Sequence, residues 1–209
     1  MNIHTHQQIA NHALKTVNEA SATAMSYFRQ LLEVETKGDE SPVTVADKTV
    51  EAQIRESLSK AYPGFGILGE EFGSENLDAE TFWVVDPIDG TRSFISGLPL
   101  FGILLGLIDK GKPVLGIVGM PALNEVYIGQ VGIGARMNGE PIETSTQTDL
   151  DAATLFINEI ETMVSQYPVV FAKLLKTGKT RRMSYDCYPH ALVAAGHIDA
   201  VVDCNLQPY

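Results

Sequence analysis

The chain has 209 residues, 44% of them hydrophobic and 20% charged, which is the composition of a globular protein and excludes an intrinsically disordered one. The formal net charge of −11 would repel nucleic-acid backbones and anionic lipids, so we expect neither nucleic acid nor membrane as a partner. The two cysteines, Cys187 and Cys204, are too few for a disulfide framework, and the first residues show no signal-peptide pattern, so we expect a cytoplasmic protein.

The N-terminal segment predicts one long helix over residues 6–35, because apolar residues recur there at spacings of three and four. These apolar residues are Ile9, Ala13, Val17, Ala20, Ala24, Phe28, Leu31 and Leu32. Three histidines, His4, His6 and His12, lie at the start of this segment. Since no carboxylate accompanies them, we interpret them as solvent-facing side chains rather than metal ligands.

A polar loop with turn residues is predicted over residues 36–47, with a short extended piece at residues 43–45. A second helix follows and ends near Tyr62, just before Pro63. Asp47 lies at the start of this helix, where a carboxylate can cap the first free N–H groups.

Two short apolar segments, each predicted to be a buried strand, are followed directly by carboxylates. The first spans residues 65–68 and precedes Glu70, and the second spans residues 82–85 and precedes Asp86. Pro87 cannot donate to a sheet ladder, so we expect the second strand to stop there. The shared pattern predicts that the two strand ends converge, at the edge where open α/β sheets bind their ligands.

The residues after the second strand offer several oxygen ligands within a short turn. Asp86 and Asp89 supply two carboxylates and Ile88 a backbone carbonyl, a set that suits Mg²⁺. Gly90 and Thr91 read as the start of a short helix, whose free N–H groups would face a bound anion. The alternative is a simple turn in which an aspartate acts as a capping residue.

The middle of the chain predicts consecutive strands. Residues 100–108 and 113–120 are apolar runs joined by a four-residue turn, which is the pattern of a β-hairpin. Shorter strands are predicted at residues 126–130 and 134–137, followed by a turn at Asn138-Gly139. Four predicted strands thus follow one another without an intervening helix.

Beyond a polar connection at residues 145–151, strands and helices alternate, which predicts an α/β lobe. The predicted elements are a strand at residues 154–157, a helix at 161–176, a strand at 180–184, a helix at 186–195 and a strand at 198–203. We therefore expect an N-terminal metal-binding lobe over residues 1–144 and a C-terminal α/β lobe over residues 145–209.

Three motifs together resemble the inositol monophosphatase family of metal-dependent phosphatases, in the family's order and at its spacing. They are Val43-Thr44-Val45-Ala46-Asp47, Gly69-Glu70-Glu71 and Trp83-Val84-Val85-Asp86-Pro87-Ile88-Asp89-Gly90-Thr91. The resemblance covers nearly the whole chain. It implies an α/β fold with an α+β N-terminal lobe, layered as an αβαβα sandwich, and Mg²⁺-dependent hydrolysis of a small phosphomonoester.

The resemblance also implies which residues hold metal. Glu70, Asp86 and the Ile88 carbonyl would bind a first ion, and Asp86 would bridge to a second ion that Asp89 also holds. Two or three Mg²⁺ ions per site are expected.

The phosphate and the attacking water have their own expected partners. The N–H groups of Gly90 and Thr91 would hold phosphate. Thr91, hydrogen-bonded to Asp47, and Glu70 would orient the water as catalytic residues. The expected partner is a small phosphorylated metabolite, and the expected assembly is a homodimer.

Other features are similar to the histidinol-phosphate phosphatases of this family. They are the pattern K-x-D-x-S-P-V-T-x-A-D over residues 37–47, the run D-G-T-R-S-F-I-S-G-L-P over residues 89–99, and Tyr185-Asp186-Cys187-Tyr188. Asp186, together with Asp89, is assigned to substrate binding, because an anion on the leaving-group side would pair with the amine of histidinol phosphate. The alternative is that Asp186 caps its helix.

The remaining thiol and imidazole groups in this lobe have less distinctive patterns. We interpret Cys187 as packed rather than reactive. His190 and His197 are interpreted as structural rather than catalytic.

Several functions stay open at this stage. Inositol phosphate, a sugar bisphosphate and a phosphoadenosine nucleotide are alternative substrates, and a binding or regulatory protein without turnover is the alternative from another class. The family carries a further aspartate that completes the second metal site, and the sequence stops at Tyr209, one residue short of it. We therefore expect a first metal site that fills normally, a second that is weak or empty, and a natural protein that continues past Tyr209.

Overall fold

The computed structural model describes residues 3–31, 33–36 and 42–208. The helices are α1 (Ile3–Tyr27), α2 (Val45–Ala61), α3 (Thr91–Ile95), α4 (Ile160–Gln166), α5 (Pro168–Leu174) and α6 (Tyr188–Ala194). The strands are β1 (Val34–Thr36), β2 (Pro42–Thr44), β3 (Gly66–Gly69), β4 (Gly73–Glu75), β5 (Thr81–Asp89), β6 (Gly102–Asp109), β7 (Lys112–Met120), β8 (Glu125–Gln130), β9 (Gly134–Met137), β10 (Glu140–Ile142), β11 (Thr154–Ile157), β12 (Thr180–Met183) and β13 (Ala200–Val202). Residues 37–41 of the K-x-D-x-S pattern lie outside the described residues.

The larger sheet has eight strands in the order β10-β9-β8-β7-β6-β5-β3-β4. Its neighbouring strands are antiparallel except for β3 and β5, which run parallel. Helices α1 and α2 contact each other and pack on this sheet around the buried Trp83 of β5. The predicted hairpin is confirmed as β6 and β7.

The smaller sheet has three parallel strands in the order β12-β11-β13. Helix α6 lies between the two sheets, because Ala191 packs with Met120 and Tyr127 of the large sheet while the helix also contacts β13. Helices α4 and α5 contribute Met163 and Phe171 to a separate core with β11 and β13. The layered α/β sandwich predicted from the sequence is confirmed, whereas its division between residues 144 and 145 stays a prediction.

The long N-terminal helix predicted to reach residue 35 ends instead at Tyr27. Arg29 adopts a left-handed backbone with φ 61°, and its guanidinium donates to the Gly97 carbonyl at 3.0–3.1 Å. Leu31 is fully exposed, so it is not part of the apolar face, and β1 follows it. A contact from a distant loop therefore overrides the local periodicity that predicted a longer helix.

Two of the predicted N-terminal solvent-facing histidines are partly buried. His6 is half-buried, and the His12 ring meets the Tyr62 ring edge-on with centroids 5.5 Å apart. His12 Nε2 also lies 3.2 Å from the Ser57 hydroxyl. For these two residues the prediction was wrong, since α1 turns this face toward α2; the side chain of His4 lies outside the described part.

The single helix predicted over residues 161–176 is two helices, α4 and α5, that meet at Tyr167. Pro168 has no N–H to continue the ladder of α4, but it fits the first position of a new helix. In the part of the chain that the structure describes, no helix is both long enough and apolar enough to cross a bilayer.

Candidate active site

The two strand ends predicted to converge do so. Strands β3 and β5 are parallel neighbours with Gly69 opposite Val85, and the Glu70 amide donates to the Val85 carbonyl at 3.2 Å. Glu70, just past the end of β3, and Asp86, within β5, therefore lie side by side, and their carboxyl groups lie within hydrogen-bonding reach.

A buried carboxylate on α2 fixes the backbone that follows Glu70. Glu51 accepts from the amides of Glu71 at 2.7 Å and Phe72 at 3.2 Å, and from Arg55 Nε at 2.7 Å. Any side chain at Gly69 would meet the Glu51 carboxylate, with a Cβ only 2.1 Å from its Oε1. Glu51 was not among the predicted site residues; its only signal in the sequence is that it lies three residues before Ile54, on the side of the helix where an apolar residue is expected.

Strand β5 does not stop at Pro87, contrary to expectation, but continues to Asp89. Asp86 pairs with Leu104 and Asp89 with Gly102, so three steps along β5 oppose two steps along β6. The extra residue forms a β-bulge, where the hydrogen-bond ladder between β5 and β6 is interrupted. Pro87, which has no N–H to donate, is therefore tolerated at this point of the strand. The bulge keeps Asp86 and Asp89 on the sheet and buries Ile88 between them.

The predicted short helix after Asp89 is confirmed as α3. Gly90 precedes it with φ 84°, a left-handed conformation that favours glycine. A Cβ at this position would lie 2.7 Å from the Asp186 carboxyl carbon, so the close approach of two loops also requires glycine.

Asp47 takes part in capping α2 and also contacts Thr91. Thr44 is the N-cap, and Asp47 Oδ2 accepts from the Thr44 amide at 2.8 Å and from its hydroxyl at 2.6 Å. The other oxygen, Oδ1, accepts from the Thr91 hydroxyl at 3.1 Å. Burial raises the pKa of Asp47, and the hydrogen bonds from Thr44 and Thr91 oppose that rise. The expected Thr91–Asp47 hydrogen bond is thus present, and the capping interpretation holds as well.

The loop before α6 closes over these elements from the C-terminal side. The Cys187 amide donates to Asp89 Oδ2 at 2.5 Å, and the Ser93 hydroxyl donates to Asp186 Oδ2 at 2.6 Å. Asp186 has φ 59° and lies outside α6, so it does not cap that helix as the alternative interpretation supposed. Cys187 is buried against Met120, and burial raises the pKa of its thiol well above the usual range, which agrees with a packed role.

A cavity of about 360 Å³ opens where these loops meet. It is lined by Glu70, Asp86, Asp89 and Asp186 among the predicted site residues. The other predicted residues do not line it: Asp47, Ile88, Gly90 and Thr91.

Two further carboxylates line this cavity and were missed in the sequence analysis: Asp203 and Glu159. Asp203 directly follows β13, the same strand-then-carboxylate signal that identified Glu70 and Asp86. Glu159 had no such signal, because it follows β11 only after Asn158, in a left-handed conformation with φ 49°.

Asp203 is held by two neighbours. The side-chain nitrogen of Asn158 donates to Asp203 Oδ2 at 2.8 Å, and His190 Nε2 lies 2.9 Å from the same oxygen. Although burial acts to raise the pKa of Asp203, the hydrogen bonds from His190 and Asn158 outweigh it, so the pKa lies below its usual value. Asp203 is therefore an anion at neutral pH.

The carboxylates at the strand ends are costly to keep ionised together. Burial raises the pKa of Asp86 well above its usual value, and the nearby charges of Asp89 and Glu70 raise it further. Burial also raises the pKa of Asp89 to about 6, although its hydrogen bonds from Cys187 act in the opposite direction. A bound cation would remove this penalty.

The residues present fit a hard divalent cation. Asp86 Oδ1 is buried and has no hydrogen-bond partner among the described residues, as expected for an oxygen that would coordinate a metal. The nearby donors are carboxylate and carbonyl oxygens, which Mg²⁺ prefers. Among the described residues, no group of three acidic, histidine or cysteine side chains is already arranged to coordinate a metal. One reason is that Asp89 Oδ2 accepts a hydrogen bond from the Cys187 amide instead.

Comparisons with known proteins agree with this site. The model of the inositol monophosphatase family matches residues 5–209. A histidinol-phosphatase from Chlorobaculum parvum is 38% identical over an aligned length of 201 residues, and the match covers 94% of this chain and 77% of that protein. A chloroplastic bifunctional phosphatase, IMPL2, from Arabidopsis thaliana is 37% identical over 88% of this chain and 54% of that protein.

The likeness extends to solved structures. An inositol monophosphatase from Zymomonas mobilis superposes with a TM-score of 0.84 at 36% identity, over 96% of this chain and 78% of that one. The family match spans almost every element described above, including both sheets and the loops that meet at the acidic cavity. The chain belongs to the inositol monophosphatase family and is a phosphatase.

Proposed function

We propose that this phosphatase is a Mg²⁺-dependent phosphomonoesterase that hydrolyses L-histidinol phosphate to L-histidinol and phosphate. The observation that carries the choice of substrate is Asp186, which stands in the cavity wall beside Glu159 and near the anionic Asp203. These groups accept hydrogen bonds and carry negative charge, so they favour a leaving group with a cationic amine. The relative named histidinol-phosphatase supports the same choice.

Enzymes of this family generally depend on divalent metals. In our proposal, Glu70, Asp86 and the Ile88 carbonyl hold one Mg²⁺, Asp86 and Asp89 hold a second, and two or three ions are bound per site. When bound there, the ions would supply Lewis-acid chemistry, which activates a water molecule and stabilises the charge on the leaving oxygen. They are also needed for binding, because a chain with a net charge of −11 and an acidic cavity would otherwise repel a phosphate.

The residues around the metals orient the reactants. The one proton of the Thr91 hydroxyl lies within reach of two acceptors, Asp47 Oδ1 at 3.1 Å and the Ile88 carbonyl at 3.2 Å, so the oxygen lone pairs of Thr91 stay available to accept from a water molecule. Glu70 takes up the other proton of that water as the water oxygen attacks phosphorus and the ester P–O bond breaks. The leaving alkoxide takes its proton from solvent water, and Glu70 later returns its proton to solvent. The amides of Gly90 and Thr91 hold the phosphate oxygens.

The leaving group makes separate contacts. Asp186 accepts from the amine, and its position is fixed by the Ser93 hydroxyl. Asp89, which lines the same cavity as Asp186 and is proposed to hold the second metal ion, also contributes to substrate binding. We further propose a cytoplasmic protein without a nucleic-acid partner, which the strongly acidic composition and the two free thiols, Cys187 and Cys204, support. The homodimer stays a prediction that rests on the family resemblance alone.

A substrate panel tests the proposal. The purified chain, assayed with Mg²⁺ and with EDTA, is offered L-histidinol phosphate, inositol 1-phosphate and glycerol phosphate. We expect metal-dependent phosphate release with the highest kcat/KM on histidinol phosphate. A higher kcat/KM on inositol 1-phosphate would overturn the substrate, and turnover in EDTA would overturn the metal assignment.

The Asp186→Ala variant tests the selectivity residue. A charge-assisted hydrogen bond is worth about 1.5–3 kcal/mol, so kcat/KM for histidinol phosphate should fall about tenfold to hundredfold more than that for glycerol phosphate. Asp78→Ala, at an exposed turn position, is the matched control and should leave the ratio unchanged. An equal loss on both substrates would mean that Asp186 has a structural role only.

A further inference from the structure

A second cavity, of about 320 Å³, lies directly beside the first. The two cavities share Glu159 and Asp186, which form the wall between them. The second cavity is enclosed by α3 with the loop after it, the start of α4, and the loop that precedes α6. The two cavities therefore adjoin at Asp186, next to the carboxylates proposed to hold metal.

The second cavity presents apolar surface beside carboxylates. Tyr185 and Leu98 are 52% and 50% exposed, so each presents apolar surface to the space. Glu159 and Asp186 offer carboxylate oxygens beside that surface. An aromatic face next to hydrogen-bond acceptors suits a flat ring that carries N–H groups.

The charges of this cavity disfavour a second phosphate group. Its basic side chain is Arg92, which already faces Glu161 at 4.0 Å in an exposed pair at the surface. An anionic group here would also meet Asp186 and Glu159. The balance of charge therefore favours a neutral or cationic ligand over an anionic one.

We propose that the second cavity is a leaving-group subsite that binds a planar nitrogen heterocycle against Tyr185, with the ring N–H donated to Glu159 or Asp186. The inference rests on the proposed function, because the imidazole of histidinol is such a ring. Asp186 then faces two parts of one substrate, the amine in the first cavity and the ring in the second. In this proposal, Tyr185 is the residue that makes the enzyme prefer a substrate with the ring over one without it.

The test compares two substrates that differ only in the ring, L-histidinol phosphate and L-alaninol phosphate. An aromatic contact of this kind corresponds to roughly a three- to tenfold effect. Tyr185→Ala should therefore lower the histidinol-to-alaninol ratio of kcat/KM by roughly three- to tenfold. Tyr167→Ala is the control, since Tyr167 is 43% exposed at the junction of α4 and α5 and lines neither cavity.

Binding gives a second readout that does not depend on turnover. In calorimetric titrations with the products, the wild-type chain should bind L-histidinol more tightly than L-alaninol, and Tyr185→Ala should lose that difference while Tyr167→Ala retains it. If the wild type hydrolyses histidinol phosphate best but Tyr185→Ala and Tyr167→Ala behave alike in both readouts, the subsite is overturned and the proposed function stands. If the wild type neither prefers nor binds the ring-bearing compound over the ringless one, both are overturned.

Discussion

The side-chain nitrogen of Asn158 donates to Asp203 Oδ2 at 2.8 Å and to the backbone carbonyl of Asp186 at 3.0 Å. One buried amide thereby joins the two loops that carry acidic residues of the cavity. Both partners are acceptors, so they fix which end of the amide is the nitrogen. Its Oδ1 is buried without a hydrogen-bond partner among the described residues.

The Asn158→Ala variant tests this link. Two acceptors lose their donor in a buried setting, so the free energy of unfolding should fall by about 2 kcal/mol in urea denaturation. KM for histidinol phosphate should rise more than kcat falls, because the metal carboxylates stay in place while Asp186 and Asp203 become mobile. Asn18→Ala, exposed on α1, is the control and should change neither quantity. Unchanged KM in a destabilised Asn158→Ala protein would limit Asn158 to a folding role.

Thr91 provides a prediction about the attacking water. Thr91→Val keeps the shape of the side chain but removes the hydroxyl that donates to Asp47. We expect kcat to fall by about a hundredfold to a thousandfold in steady-state kinetics, the range for losing a group that orients or activates water. Thr91→Ser keeps the hydroxyl and should retain most of the activity. A valine variant with wild-type kcat would remove Thr91 from the catalytic residues.

Asp89 provides a prediction about metal binding. In Asp89→Asn, an amide oxygen can still accept from Cys187, but the charge that would hold the second ion is gone. Calorimetric titration with MgCl₂ should show weaker binding, and turnover should fall at least about a hundredfold. In EDTA the variant should be no less stable than the wild type, and up to about 1 kcal/mol more stable, because a like-charge repulsion is removed. Full activity in Asp89→Asn would refute the assignment.

Asp199 provides a prediction about acid stability, remote from the site. It accepts from the Ser145 hydroxyl and from the Thr154 amide at 2.6 Å, and these hydrogen bonds lower its pKa. A lowered pKa means that the ionised group stabilises the fold above about pH 4, and that this contribution is lost as the pH falls through the folded-state pKa.

Asp199→Asn should therefore be less stable than the wild type in urea at about pH 7, with the difference shrinking toward about pH 3. Asp78→Asn, on an exposed turn, should show no such trend. A difference that stays constant with pH would mean that the hydrogen bonds, and not the charge, carry the effect.

Much of the site was predictable because it depends on short stretches of sequence. An apolar run followed by a carboxylate occurs at Glu70 and at Asp86, and the parallel pairing of β3 and β5 brings the two carboxylates together. The same signal after β13 marked Asp203 and was not used. Short exposed strands such as β4, in contrast, have no apolar pattern to reveal them.

The features that the sequence could not reveal depend on distant partners. Helix α1 ends where it does because Arg29 reaches the Gly97 carbonyl, far away in the chain. Strand β5 passes Pro87 because β6 accepts a bulge opposite it. Asp186 adopts a left-handed backbone that no local signal requires. Each case is decided by tertiary contacts, which single-sequence periodicity does not contain.

The close approach of Gly90 to Asp186 couples two positions that are far apart in the chain. A Cβ at Gly90 would lie 2.7 Å from both the carboxyl carbon and Oδ2 of Asp186. A substitution at Gly90, in the turn proposed to hold the phosphate, would therefore require a compensating change at Asp186, the residue proposed to select the leaving group. Directed-evolution libraries that seek a new substrate should randomise Asp186 with Gly90 held fixed, since double changes at this pair would be depleted before selection for activity begins.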